Sequence, residues 1–271
     1  MPNNSLQNKK LFLFDIDGTI AVGDTLYDGS AELIEYIEQN GGKAYFITNN
    51  STKSGQDYVH KFHSAFGLDT TEDRFITAGY ITVRFLKEHF ADRKIYVLGT
   101  VSFVEELRRN GLEVTETAEP GIGCIVVAYD SELNYAKLTE ACKVLLTTDV
   151  PFYATNPDLR CPIDFGFIPD CGAICNMLTN TTGKTPIYLG KPNKEVVALC
   201  LEQSGFSGEE TLVVGDRLYT DIACGINGGV DTCVVFTGEA TPEDIRDTPY
   251  QPTYTFDNVR ALLDCLTGTH A

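Results

Sequence analysis

Near the start of the chain, four apolar residues run directly into two carboxylates: Leu11-Phe12-Leu13-Phe14-Asp15-Ile16-Asp17-Gly18-Thr19. A run that is apolar on both faces is the signature of a parallel strand covered on both sides. Residues i and i+2 of an extended segment share a face, so Asp15 and Asp17 are expected side by side. No basic residue lies between them or directly beside them in sequence to neutralise them. A hard divalent cation with oxygen ligands is the simplest partner for such a pair. The carboxyl end of a parallel strand is also where open α/β sheets bind their ligands. The plainer alternative is a polar turn after an edge strand, with Asp and Gly chosen for turn geometry.

The rest of the chain alternates strand and helix. Ser30 to Asn40 carries apolar residues at helical spacing between a Ser cap and a Gly41-Gly42 stop. Lys43 to Ile47 reads as a second buried strand that ends in the polar run Thr48-Asn49-Asn50-Ser51-Thr52. Helices are expected over Gln56 to Phe66, Thr82 to Phe90, Val101 to Asn110, Tyr135 to Thr147 and Glu195 to Ser204. Strands are expected over Lys94 to Leu98, Cys124 to Tyr129, Phe152 to Thr155, Ile187 to Leu189, Thr211 to Val214 and Val234 to Phe236. Strand, helix, strand order implies parallel βαβ units. Thr179-Asn180-Thr181-Thr182-Gly183 reads as a crossing linker.

Composition bounds the function. At 271 residues and 43% hydrophobic content the chain can build two cores. A net charge of −17, from 21 basic and 38 acidic residues, argues against a nucleic-acid polymer as partner, because such affinity rests on neutralising phosphates with Lys and Arg. A small phosphorylated ligand stays compatible if a metal or local cations reverse the field. Nine cysteines with no secretory context suggest free thiols in a cytoplasmic protein. Cys171 and Cys175 could share a helix face, but without a second Cys or His pair they read as buried thiols rather than a metal site. No apolar run reaches the about 18 residues of a membrane helix.

Four expected strand ends carry polar groups: Asp15 and Asp17, Thr48 and Asn49, Lys191, and Asp216 with Asp221. Brought to one sheet edge, they would supply carboxylates, a hydroxyl, an amide and an ammonium. That inventory suits phosphoryl transfer, where fixed cations stabilise charge on the transferring oxygens while a nucleophile attacks in line. Separately, Thr48-Asn49-Asn50 could be a simple turn, Lys191 a solvated lysine, and Asp216 and Asp221 helix caps; four turns imitating the ordered set by chance is the weaker reading.

The segments DIDGT, FITNNSTKS, LGKPN and VVGDRLYTDI, in that order, resemble the four motifs of the haloacid dehalogenase-like phosphatase superfamily, in its NagD-like and p-nitrophenylphosphatase-like branch. The resemblance implies an α/β fold: a Rossmann-like core, a parallel sheet flanked by helices, with an inserted α/β cap of type 2. It implies that Asp15 is a nucleophile forming an aspartyl-phosphate and that Asp17 is the general acid and base. Thr48, with the backbone near Asn49, would bind the phosphoryl group, and Lys191 would hold nucleophile and phosphate together. Asp216, Asp15 and the main-chain carbonyl of Asp17 would hold magnesium, supported by Asp221.

The stretch between Asp17 and Thr48 accommodates a helix and its connections, whereas that between Thr48 and Lys191 is long enough for a domain. The cap is therefore expected at residues 80–186, with the core made of 1–79 and 187–271. Within it, Thr155-Asn156-Pro157-Asp158 resembles the branch's substrate-facing cap loop, making Asn156, Asp158 and Arg160 candidates for substrate specificity. The expected activity is a magnesium-dependent phosphomonoesterase acting on a small phosphorylated metabolite such as a nucleoside monophosphate, sugar phosphate, phosphoglycolate or pyridoxal phosphate. Caps in this branch often contribute to dimer contacts, so a homodimer is compatible. The competing readings are a phosphomutase or phosphotransferase, disfavoured by the short first gap; a dehalogenase, disfavoured by Asp17; and a non-enzymatic phosphate-ligand sensor, which needs no cap.

Overall fold

The computed structural model describes residues 6–163 and 165–269. They form two compact units. The first holds the described residues up to Thr48, then Gly55–Ile76, then the described residues from Lys191 onward; the second holds Asn49–Ser54 and Thr77–Gly190.

The first unit is built on a sheet containing β1 (Leu11–Phe14), β4 (Lys43–Thr48), β5 (Phe75–Thr77), β13 (Thr211–Gly215), β14 (Asp231–Val235) and β15 (Tyr254–Phe256), numbered in chain order, with β2 (Ala21–Val22) and β3 (Thr25–Leu26) forming a small antiparallel hairpin. The sheet order is β15-β14-β13-β1-β4-β5. β1 pairs in parallel with β13 on one side and β4 on the other, which explains why all four of its residues are apolar and buried. Phe12, Phe14, Phe46, Phe62 and Phe75 join one cluster with Leu33, Ile37 and Leu262. Cutting a fully buried Phe back to Ala in such a core costs about 3–5 kcal/mol.

The second unit has a five-stranded, wholly parallel sheet ordered β12-β9-β8-β6-β7. Its strands are β6 (Lys94–Leu98), β7 (Val114–Thr115), β8 (Ile122–Val127), β9 (Phe152–Ala154) and β12 (Ile187–Tyr188), and the antiparallel hairpin β10 (Arg160–Ile163) and β11 (Gly166–Pro169) lies between β9 and β12 in sequence. Two apolar clusters form its core, one around Tyr96, Ile125, Val144 and Cys175, the other around Leu86, Val97, Phe103 and Leu107. The fold is α/β throughout, and no described helix is long and apolar enough to cross a membrane.

Several local expectations change. Thr179–Thr182 is not a linker but the last turn of the helix Cys171–Thr182, opened by the Asp170 carboxylate and closed by Gly183 at φ +73°. Polar residues mask a helix whose apolar face, Cys171, Ile174, Cys175 and Leu178, is buried. All nine cysteines are free. Ser30 does not cap the helix Ser30–Gln39: Gly29, at φ +88°, takes that position, and the Ser30 hydroxyl donates to the Ile20 carbonyl at 2.8 Å. A Cβ on Gly29 would sit 2.8 Å from the Arg260 Cα, so close approach as well as backbone sign selects glycine. The helix expected from Thr82 starts at Ala78, because the Thr77 hydroxyl accepts from the Tyr80 N–H. The expected helix over Gln56 to Phe66 runs from Gly55 to Lys61 and finishes in one wide π-type turn, Phe62–Phe66. The sequence reading also passes over β5, β15 and the C-terminal helix Val259–Thr267.

Candidate active site

Parallel pairing of β1, β4 and β13 carries their carboxyl ends to one edge of the first sheet. Asp15 follows β1, its N–H donating to the Val214 carbonyl at 2.9 Å as if the strand continued. Thr48 ends β4 and Asp216 follows β13, both buried. Lys191 comes to this edge differently from expectation. The strand before it, β12, pairs with β9 in the other sheet, and the first unit resumes only at Lys191.

Lys191 organises the site. Its Nζ donates to Asp15 Oδ1 at 2.5 Å, Asp221 Oδ1 at 2.6 Å and the Ile47 carbonyl at 2.9 Å. An ammonium has three N–H donors, and these are three acceptors fixed by β1, β4 and the Leu218–Ile222 turn. Asp221 Oδ2 also accepts from the Arg217 N–H at 3.0 Å. Asp216 is held at both oxygens: Oδ1 accepts from Thr19 Oγ1 at 3.1 Å and Oδ2 from the Glu239 N–H at 2.8 Å. Carboxylate oxygens of Asp15, Asp216 and Asp221 lie within 4.8 Å of one another.

Three carboxylates against one ammonium, all buried, leave negative charge uncompensated. Burial pushes the Asp15 carboxyl well above the usual carboxylate range; Lys191 opposes that rise, while Asp221 and Asp216 add to it. Burial, reinforced by Asp221 and opposed by the Arg217 guanidinium, holds Asp216 up at about 6. Burial works against the Lys191 charge, but Asp15 and Asp221 outweigh it and keep the ammonium above the ordinary lysine value. An oxygen-only cluster with surplus negative charge fits a hard divalent cation.

Asp17 lies apart from that trio, half-buried in the turn that follows β1. The turn is tied by the Ile16 carbonyl, which accepts from the N–H groups of Ile20 and Ala21 at 3.1 Å each, and by Gly18 at φ +98°. The carboxylates that the fold gathers are thus Asp15, Asp216 and Asp221, rather than the adjacent pair Asp15 and Asp17, with Asp17 in the turn that begins at Ile16.

Sequence reasoning missed the supports. Gly18, whose carbonyl accepts from Thr237 Oγ1 at 2.6 Å, ties the turn after β1 to the loop after β14, and the Tyr27 hydroxyl donates to the Thr237 carbonyl at 3.2 Å. A Cβ on Gly238 would fall 2.0 Å from Asp216 Oδ2, and one on Gly215 would fall 2.2 Å from Asp221 Cβ. Thr237-Gly238 directly after the apolar run of β14 was the available signal, a further polar strand end. Gly215→Ala is expected to cost about 1–3 kcal/mol through overpacking, measured as a lower denaturant midpoint. An unchanged midpoint would mean that Asp221 moves aside freely.

The remaining candidates belong to the second unit. Asn49 is buried there, its carbonyl accepting from Asn156 Nδ2 at 2.8 Å. Asn156 and Asp158 are buried, whereas Arg160 is exposed and lies over the Phe167 ring at 4.6 Å.

The carboxyl edge of a parallel sheet here gathers a lysine that bridges two carboxylates, with a third carboxylate beside them, an arrangement that suits chemistry on an anionic ester. Models of two families match the chain, haloacid dehalogenase-like hydrolase over residues 12–113 and HAD-hydrolase-like over residues 188–262. The chain belongs to the haloacid dehalogenase-like hydrolases, and within them to the NagD-like phosphatases. It is 30% identical over 258 residues to an acid sugar phosphatase of Staphylococcus haemolyticus, covering 95% of this chain and 97% of that one. Its structure is similar to a 4-nitrophenylphosphatase of Thermotoga maritima, with a TM-score of 0.90, 34% identity, and coverage of 97% and 99%. It is also similar to NagD of E. coli K-12, with a TM-score of 0.83, 30% identity, and coverage of 93% and 97%.

Proposed function

We propose that this chain is a magnesium-dependent phosphomonoesterase for a small phosphorylated metabolite, working through an aspartyl-phosphate on Asp15. The observation that carries the reading is the Lys191 bridge between Asp15 and Asp221 beside Asp216. In the first step a carboxylate oxygen of Asp15 bonds to phosphorus as the bond from phosphorus to the leaving oxygen breaks, and Asp17 gives its proton to that oxygen. In the second, Asp17 takes a proton from water, whose oxygen bonds to phosphorus while the bond to Asp15 breaks. Inorganic phosphate leaves and both carboxyl groups return to their starting states. Thr48, the backbone at Asn49 and Lys191 hold the phosphoryl oxygens. Asp15, Asp216 and the Asp17 carbonyl would hold the ion, with Asp221 supporting. Bound there, magnesium lowers the repulsion between an anionic nucleophile and an anionic phosphate.

The relatives' activities make sugar phosphates and p-nitrophenyl phosphate the first substrates to test. The second unit takes the part of the cap that excludes water and selects the substrate, with Asp158 and Arg160 as its specificity candidates. Nine free thiols suit a reducing cytoplasm. The direct test is phosphate release from a panel of phosphorylated metabolites with magnesium and with chelator. Binding without turnover would instead support a phosphate sensor.

The same site predicts a coupling between metal and pH. Asp216 has a raised value of about 6 in the folded chain against an ordinary 3.8. Its contribution to metal-free stability is therefore fully present below pH 3.8 and lost as pH rises through about 6. A divalent cation takes the place of the proton. Magnesium should raise the melting temperature little at about pH 5 and clearly more at about pH 7.5; equal shifts at both would contradict the site.

A further inference from the structure

Thr155 and Asn156, directly after β9, are wholly buried polar residues. The Thr155 N–H donates to the Val127 carbonyl at 2.9 Å, so Thr155 continues the pairing of the strand by one residue. Both side chains and the Thr155 backbone are occupied within the second unit. Asn156 Nδ2 donates to the Asn49 carbonyl at 2.8 Å, and Asn156 Oδ1 accepts from the Asp158 N–H at 2.9 Å. Thr155 Oγ1 lies 3.4 Å from Ser51 Oγ, and the Thr155 carbonyl accepts from the Gly190 N–H at 2.8 Å. A Cβ on Gly190 would sit 2.6 Å from the Thr155 carbonyl oxygen and 2.7 Å from Asn49 Oδ1, so only glycine lets these segments approach so closely.

Asn49 directly follows Thr48 in the chain, and Gly190 directly precedes Lys191. One strand end therefore grips the backbone next to two of the groups assigned to the phosphoryl site. In a trans peptide the C=O of Asn49 and the N–H of Asn50 lie antiparallel in one plane. Fixing that carbonyl fixes the direction of that N–H, and turning the plane would strand a buried donor and acceptor. An asparagine that reads substrate keeps its amide for the substrate; the Asn156 amide is spent on the main chain.

We propose that Asn156 is a positioning residue of the phosphoryl site rather than a reader of the leaving group: it sets the Asn49–Asn50 peptide after Thr48 and, through Thr155 and Gly190, the approach of the chain to Lys191. This rests on the phosphatase reading above. Its signature is a weakening shared by all substrates, because every substrate brings the same phosphoryl group.

The test compares wild type with Asn156→Asp in the full-length protein with magnesium. The aspartate keeps the acceptor for the Asp158 N–H and puts an oxygen where the donor to Asn49 was. The KM for p-nitrophenyl phosphate, the KM for a sugar phosphate and the inhibition constant of inorganic phosphate are expected to rise together, by about tenfold or more. Asn156→Ser, whose shorter side chain takes away the amide that reaches the Asn49 carbonyl without adding charge, carries the same expectation if the aspartate variant does not fold. A lower melting temperature with all three constants unchanged would overturn the proposal. So would a change in one substrate's KM with the phosphate inhibition constant unchanged. A wild type without turnover would overturn the phosphatase reading and this inference with it, whereas an active wild type with an indifferent Asn156 overturns this inference alone.

Discussion

Asp15→Asn should eliminate phosphate release from p-nitrophenyl phosphate, by three orders of magnitude or more, while leaving the protein folded. The loss follows from the role: an amide cannot attack phosphorus to form an acyl phosphate, and removing a nucleophile removes a whole pathway rather than one contact. The tolerance follows from the surroundings. Asp15 is a buried carboxyl whose charge is disfavoured by burial and by Asp221 and Asp216, so a neutral group of the same shape relieves repulsion. Lys191 keeps Asp221 Oδ1 and the Ile47 carbonyl as acceptors. Circular dichroism and a melting curve close to wild type, with no turnover, are the expected pair of results. Retained turnover would remove Asp15 from the chemistry.

Lys191→Met should fail in both respects. Methionine is close to lysine in length and suits an apolar wall, but Asp15 and Asp221 lose a partner at 2.5 and 2.6 Å. Breaking a buried ion pair from one side strands the other charge and costs about 3–5 kcal/mol. Asp216, within reach of both carboxylates, adds to the repulsion. The cost should be largest at neutral pH without divalent ions. It should shrink as pH falls through about 6, where Asp216 takes up a proton. Added magnesium should restore part of the stability and none of the activity. A denaturation midpoint equal to wild type at neutral pH in chelator would show that the ammonium does not offset the carboxylates.

Much of this was legible in the chain itself, for identifiable reasons. An apolar run ending in Asp15 can hardly be anything but a central parallel strand, since β13 and β4 flank it and both faces are covered. The ends of β4 and β13 carry the same pattern. Less legible was anything set by contacts between segments far apart in sequence. Spacing alone places Asp17 beside Asp15, yet the turn at Ile16 leaves Asp221 in the trio instead. Ile187–Tyr188 reads as a strand from its own residues, but nothing local says that its partner is β9 rather than the sheet that holds Asp15. Thr179–Thr182 looks like a linker because its polar face outweighs its apolar one in composition, while burial of Cys175 and Leu178 makes it helix. Asn156 looks available for substrate until the fold brings the Asn49 carbonyl to its amide.

The central claim is a covalent phosphoryl intermediate on Asp15. Wild-type protein turning over p-nitrophenyl phosphate with magnesium, quenched rapidly in acid and digested, should yield a phosphorylated peptide spanning Leu11 to Thr19, with the label on Asp15 and removed by neutral hydroxylamine. Steady phosphate release with that peptide unmodified, and turnover surviving in Asp15→Asn, would contradict the account.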